Sequence, residues 1–448
     1  MGPGREPAAH RQGPHGPDHV AVGALPLPVV TSNPLWTGCR CVVCNRVYPI
    51  DYAGFVCADC GVDGILDVEY DLDDLAAKAR ADSRWFASGP VSGLWRFADQ
   101  LPVQPEARHP GWDVAGLAPL TAPRLAQHLG LAALILKDDT RLPSGSLKDR
   151  AAAVAIARAV QLGIDHIACA STGNAAASLA VMAARAGLKA SIFVPAAAPR
   201  AKLAQLLVHG SDLVRVDGTY DQTFDLSLRR IEQHGWYSRN CAHNPLLVEG
   251  KKTAILELVR DCPGALPDVV MVPVGDGCIV SSVAKGLLEL HHLRIIDRLP
   301  RVIGVQAAGA APLASAWRDC RRDPATLSGP GILAAVPSIV PQTLADSISV
   351  GIPRNRVKAW RYVSRTGGAF LAVPDEAITE AIGQLARLAG VFAEPSGAAG
   401  LAGIIAARDQ GLIKGTEAVA VLVTGNGLKD VDAALAAVTI PEPIDPAA

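Results

Sequence analysis

Pro143-Ser144-Gly145-Ser146-Leu147-Lys148-Asp149-Arg150 lies between an apolar, β-prone run, Ala133 to Lys137, and an Ala-rich stretch, Arg150 to Gln161, whose apolar positions recur at three and four. This octapeptide carries a lysine from a strand end to a helix start. Ligands of parallel α/β sheets gather just beyond the carboxyl ends of the strands, so Lys148 sits where chemistry is expected. Working outward, the same alternation repeats. Strand candidates are His166 to Ala170, Ala190 to Val194, Val269 to Pro273, Arg301 to Val305 and Ala418 to Thr424, with helical stretches such as Asn174 to Arg185 between them. The pattern predicts an α/β fold of parallel twisted sheets covered by helices.

Composition points the same way. The chain has 448 residues, 50% hydrophobic and 19% charged, enough for two average domains and incompatible with wholesale disorder. Aromatics at 4% favour Ala-rich helices packed closely on a sheet over an all-β sandwich. A net charge of -1 gives no general footprint for nucleic acid or anionic membrane, so the expected partner is a small molecule recognised locally. No signal-peptide core and no apolar run of about 20 residues appear, which predicts a cytoplasmic protein. Residues 1–30, rich in Pro, Gly and His, read as a disordered tail.

Four of the ten cysteines pair by spacing: Cys41 with Cys44, and Cys57 with Cys60. Two C-x2-C knuckles separated by twelve residues present four thiolates tetrahedrally to one zinc ion and leave no open position, so the site reads as structural. Short β-type runs surround the cysteines (Val42-Val43, Phe55-Val56, Ile65 to Val68), which makes 31–70 a ribbon-like module; without a basic stripe it is not expected to bind nucleic acid. Cys39, Cys169, Cys241, Cys262, Cys278 and Cys320 are scattered, as reduced thiols would be. The acidic run Asp67 to Asp74 leads into the body, 71–448.

Three further stretches share the strand-end context of Lys148: Ser171-Thr172-Gly173-Asn174-Ala175-Ala176 and Pro273-Val274-Gly275-Asp276-Gly277-Cys278-Ile279, each joining a strand to a helix, and Leu422-Val423-Thr424-Gly425-Asn426-Gly427-Leu428-Lys429-Asp430. Exposed N–H groups at a helix start favour anions. Together and in this order, the four stretches resemble the threonine synthase, threonine dehydratase and tryptophan synthase β superfamily of pyridoxal-phosphate enzymes. The resemblance runs from about Cys39 to Asp430 and is nearest to threonine synthases with an N-terminal zinc ribbon.

That resemblance implies a two-domain fold of the tryptophan synthase β type, with a smaller subdomain over roughly 151–245 inserted in the larger one. It places pyridoxal phosphate on Lys148, whose freed amine then carries protons beside the substrate Cα. It gives Ser171, Thr172 and Gly173 to the substrate carboxylate and Asn174 to the cofactor's phenolic oxygen. Gly275, Asp276, Gly277 and Cys278 become backbone donors to its phosphate, and Thr424 faces the pyridine nitrogen. Glu394-Pro395-Ser396-Gly397-Ala398 resembles a loop near the cofactor. The implied activity is threonine synthase, a lyase of amino-acid biosynthesis converting O-phosphohomoserine and water to threonine and phosphate, as a homodimer.

One stretch departs from the family's pattern. Where relatives read Asn-Ser-x-Asn-Pro-x-Arg-x-Glu-Gly-Gln-Lys-Thr, with Ser and Arg helping to hold the substrate phosphate, this chain reads Cys241-Ala242-His243-Asn244-Pro245-Leu246-Leu247-Val248-Glu249-Gly250-Lys251-Lys252-Thr253. Leu247 replaces the Arg, Ala242 the Ser, and Lys251 the Gln. Ala118 in Gly116-Leu117-Ala118-Pro119-Leu120 likewise removes a usual hydroxyl. Either His243, Lys251 or Arg150 supplies the missing charge, or the substrate is no phosphate ester; Lys251 and Lys252 otherwise read as helix-surface residues. The alternatives are a divergent relative doing β-elimination or β-replacement on serine, threonine or phosphoserine, as dehydratases and cysteate synthase do, and an idle relative acting as a zinc-ribbon interaction protein.

Overall fold

The computed structural model describes residues 33–82, 84–86, 93–104, 114–198, 200–262, 266–320 and 322–446; the tail expected over 1–30 lies outside them. Strands are β1 (Trp36–Cys41), β2 (Val47–Tyr48), β3 (Val56–Cys57), β4 (Gly61–Tyr70), β5 (Leu120–Thr121), β6 (Ala133–Asp138) and β7 (His166–Ala170). They continue as β8 (Lys189–Pro195), β9 (Asp212–Val216), β10 (Tyr237–Ser238), β11 (Val269–Pro273), β12 (Arg301–Ala307), β13 (Ala369–Val373) and β14 (Ala418–Val423). Three sheets result, ordered β2-β1-β4-β3, β10-β7-β8-β9 and β13-β12-β11-β14-β6-β5.

The six-stranded sheet is parallel except for its edge strand β5, which runs antiparallel to β6. Its central strands β11 and β14 are almost wholly buried, as strands covered by helices on both faces must be, and they read as continuous apolar runs. The sheet of β7 to β10 is parallel throughout. The helices pack as their sequences suggest. Helix Asn174–Ala186 ends on Gly187 at φ 67°, and helix Tyr220–His234 opens on a reciprocal Thr219–Gln222 capping box.

The N-terminal sheet of β1 to β4 is antiparallel. Val42-Val43, expected as strand, forms a turn instead, because a knuckle must bend to aim both its thiols one way; the Val43 N–H donates to Cys41 Sγ at 3.4 Å. The acidic run divides by position. Asp67 points from β4 into the body, whereas Asp71 caps helix Leu72–Ala81 by accepting from the Asp73 and Asp74 N–H groups.

Asp67 is one of several links between module and body, beside Tyr70–Glu249 and Asp63–Arg356. Its carboxylate meets Lys285 Nζ at 3.1 Å and Lys358 Nζ at 3.4 Å, and the Tyr362 hydroxyl donates to it. Lys285 also reaches Glu249 at 2.7 Å; Glu249 binds Lys252 at 2.6 Å, and Lys252 reaches Glu289 at 2.7 Å. This buried ion network ties β4 to helices Leu246–Asp261, Cys278–His292 and Arg356–Arg365.

Candidate active site

Strands β11, β14 and β6 are neighbours and run parallel, so the chain leaves them side by side at Pro273, Val423 and Asp138. The loops are stitched together: Leu147 N–H donates to the Thr424 carbonyl at 3.0 Å, and Asn426 N–H to the Gly145 carbonyl at 2.9 Å. Lys148, Asn174, Gly275, Asp276, Gly277, Cys278 and Thr424 thereby line one cavity.

Lys148 begins helix Lys148–Gln161 and is partly buried. Burial lowers the affinity of its amine for a proton; the nearby Lys251 and Arg239 push the same way, against Cys241 and Glu394. A neutral amine is the nucleophilic form that a carbonyl-binding lysine needs.

Opposite it, helix Cys278–His292 opens with no side-chain cap. Gly277 holds φ at 88°, and a Cβ there would stand 2.9 Å from Ala359 Cβ, so a glycine is required for the backbone to present its N–H groups. Asn355 Nδ2 fixes this turn through the Gly277 carbonyl at 3.0 Å and Ser281 Oγ at 2.6 Å. The Asp276 carboxylate turns aside to accept the Arg354 N–H at 3.3 Å. Burial pushes the Cys278 thiol up to about 11.

Asn174 donates to Glu394 Oε1 at 2.7 Å and to Ser347 Oγ at 3.2 Å, which brings the Glu394 loop into the cavity. The Thr424 hydroxyl makes no hydrogen bond among the described residues. An adjoining open pocket of about 540 Å³ is lined by Thr172, Gly173 and Ser144, and spanned at its rim by the Lys202–Asp346 pair at 2.6 Å. Ser171 lines neither space; its Oγ accepts the Gly173 N–H at 3.2 Å.

The model for "Pyridoxal-phosphate dependent enzyme" matches residues 112–425. The threonine synthase of Methanocaldococcus jannaschii is 34% identical over 399 residues, 89% of this chain and 94% of that protein. The chain belongs to the threonine synthase family of pyridoxal-phosphate-dependent enzymes. Another relative, the threonine synthase of Mycobacterium bovis, is 36% identical over 355 residues, covering 79% of this chain and 93% of its own. Diaminopropionate ammonia lyase from Escherichia coli shares the fold at a TM-score of 0.61, with 18% identity over 78% of this chain and 95% of that one.

The cavity fits the family's cofactor. A partly buried amine with no carboxylate ion pair among the described residues, an uncapped helix start bent by a positive-φ glycine, and a strand-end hydroxyl with no hydrogen bond among the described residues are chemically suited to a carbonyl, a phosphate and a ring nitrogen.

Three charge candidates are now distinguished. Arg150 is neutralised by Asp139 at 2.7 Å and Glu257 at 2.7 Å, away from the cavity. His243 packs against the Phe55 ring at 5.4 Å, and burial pushes it down to about 4, so it stays neutral. Leu247 lies fully buried in an apolar cluster. Lys251 alone of the three lines the cavity, and neither it nor Lys252 is the surface residue expected: both are completely buried. A lysine-rich stretch on a helix reads as solvated until the helix is seen enclosed on every side.

Arg239 and Cys241 were not legible as site residues, since the strand that precedes them, β10, is only two residues long. Arg239 Nη1 donates to Cys241 Sγ at 3.3 Å, and Lys251 Nζ lies 3.8 Å from the same sulfur. Burial pushes the Cys241 thiol up, but the Lys251, Arg239 and Lys148 charges outweigh it and bring it down to about 7.

At the other end, the sulfurs of Cys41, Cys44, Cys57 and Cys60 all lie within 4.8 Å of one another. Tetrahedral Zn–S bonds of about 2.3 Å put sulfurs roughly 3.8 Å apart, so the cluster is compatible with a metal site. Gly64 makes room for it: a Cβ there would fall 2.5 Å from Cys60 Cβ and 2.6 Å from Cys57 Cβ. No helix among the described residues is long and apolar enough to cross a membrane.

Proposed function

We propose that the protein is a threonine synthase, converting O-phospho-L-homoserine and water to L-threonine and phosphate. The reading rests on one observation above all: Lys148, Asn174, the start of helix Cys278–His292 and Thr424 share a single cavity, in a chain 34% identical to a threonine synthase along 94% of that enzyme. Pyridoxal phosphate, when bound, accepts the electrons released as substrate C–H bonds break.

The chain's own residues do the rest. Lys148 would hold the cofactor, and its amine takes and returns protons at the substrate Cα and Cβ. Gly275 to Cys278 would hold the cofactor phosphate through backbone N–H groups, Asn174 would serve its phenolic oxygen in place of its bond to Ser347, and the Thr424 hydroxyl would serve its ring nitrogen. Thr172 and Gly173, at the start of helix Asn174–Ala186, take the substrate carboxylate; Ser171 holds the loop's shape. Four thiolates hold one structural zinc ion, and we assign the enzyme to the cytoplasm as a homodimer.

The test is release of inorganic phosphate and formation of threonine from O-phosphohomoserine by the cofactor-loaded protein, with phosphoserine, serine and threonine alongside. Threonine formation is expected. Turnover of the comparison substrates alone would replace this reading with β-elimination or β-replacement on the same scaffold.

A further inference from the structure

Among the described residues, five of the eight buried lysines and arginines are paired with carboxylates, Lys358 with Asp67 among them. Lys137 faces Glu257 at 2.9 Å, Arg150 faces Asp139 and Glu257, Lys252 faces Glu249 and Glu289, and Lys285 faces Asp67 and Glu249. Lys251 breaks the pattern. It is completely buried, it lines the cofactor cavity, and among the described residues its ammonium has one polar neighbour, Cys241 Sγ at 3.8 Å. Arg239, also completely buried, stands behind the same sulfur at 3.3 Å, reaches the Lys148 carbonyl at 3.5 Å, and leaves its Nε without a partner.

Adjacent lysines on one helix are turned about 100° apart, which explains why Lys252 finds the carboxylate network and Lys251 does not. The two carboxylates that share the cavity form no ion pair with Lys251: Asp276 accepts the Arg354 N–H and Glu394 accepts from Asn174. In direct contact around the Cys241 sulfur, even as a thiolate, the two cations Lys251 and Arg239 face one anion. A buried, uncompensated positive charge is costly, and it persists where a ligand brings the matching negative charge.

We propose that Lys251, backed by the Arg239–Cys241 pair, is the anion-binding residue for the phosphate on the substrate's side chain. The proposal rests on the threonine synthase reading, since that substrate is a phosphate ester. The phosphate group would meet the ammonium directly, while Arg239 offsets the thiolate and so leaves the lysine charge free for the substrate. It also accounts for how the chain dispenses with a cation at Leu247, whose side chain is sealed in the apolar core.

The test uses cofactor-loaded full-length protein and inorganic phosphate as probe, so that the cofactor's own phosphate already fills the cradle at Gly277. Titration calorimetry of phosphate is run on the native protein, Lys251→Met and Lys251→Arg, beside KM and kcat for O-phosphohomoserine and the absorbance titration of the cofactor. Lys251→Met is expected to weaken phosphate binding and raise KM by about tenfold or more, with an unchanged cofactor titration, while Lys251→Arg stays within a few fold of native. Equal phosphate affinity in native protein and Lys251→Met would overturn the proposal. So would lost cofactor affinity with an unchanged KM, which would give Lys251 to the cofactor's phosphate. If Lys251→Met does not fold, the charge-retaining Lys251→Arg and the shorter Lys251→Gln carry the comparison. Native protein that binds phosphate through Lys251 yet makes no threonine would sustain the proposed site and sink the threonine synthase reading; threonine synthesis with a Lys251-independent KM would do the reverse.

Discussion

Asn174 Nδ2 donates to Glu394 Oε1 at 2.7 Å, joining the helix start of one sheet's βα unit to the loop that follows helix Asp375–Ala389 on the other. Burial pushes the Glu394 carboxyl up to about 7, only partly offset by Lys429, Asn174 and Lys148. A carboxyl whose folded pKa exceeds its unfolded one binds more protons when folded, so its contribution to stability is fully present at low pH and is lost as pH rises through 7. Cofactor-free native protein should therefore lose about 3 kcal/mol relative to Glu394→Gln between pH 4.5 and 7.5. Urea denaturation of both across that range measures it; parallel curves would refute the assignment of this slope to Glu394.

Lys148→Ala should abolish turnover and remove the visible absorbance that a lysine-bound cofactor shows, leaving the fold intact by circular dichroism. Retained activity would displace Lys148 from the centre of the site.

Gly277→Ala places a methyl 2.9 Å from Ala359 Cβ at a φ of 88°. The expected cost is about 1–2 kcal/mol of stability together with weaker cofactor binding, because the strained turn is also the proposed phosphate cradle. Thermal melts with and without cofactor separate the two effects, and a larger loss in the loaded protein is the expected sign.

Asp67→Asn removes the carboxylate that meets Lys285 and Lys358. Leaving buried ammonium groups short of an anion should cost about 3 kcal/mol, seen as a lower urea midpoint with an unchanged slope.

Removing metal from the four-cysteine cluster with a strong chelator should lower both Tm and turnover. A drop in Tm with full activity would mean that the ribbon folds without consequence for the cavity.

Much of this was legible beforehand because strands buried on both faces are continuous apolar runs: His166–Ala170 and Val269–Pro273 match the expected strands residue for residue. The site motifs were legible because strand ends carry them. What escaped was set by tertiary enclosure. The burial of Lys251 and Lys252 depends on helices distant in sequence, and the neutralisation of Arg150 depends on Asp139 and Glu257 approaching from different segments. Val42-Val43 has a strand's composition, but the turn between Cys41 and Cys44 overrides propensity.

The β4 link through Asp67 has an evolutionary consequence. The helices it reaches, Leu246–Asp261 and Cys278–His292, are the two that carry Lys251 and the Gly277 cradle. Substitution at position 67 is therefore tolerable only alongside compensating exchange at 285, 249 or 358, and ribbon and catalytic body must drift as one inherited unit. Grafting this ribbon onto another family member, or trimming it away to obtain a smaller catalyst, would orphan charges directly beneath the reaction chamber.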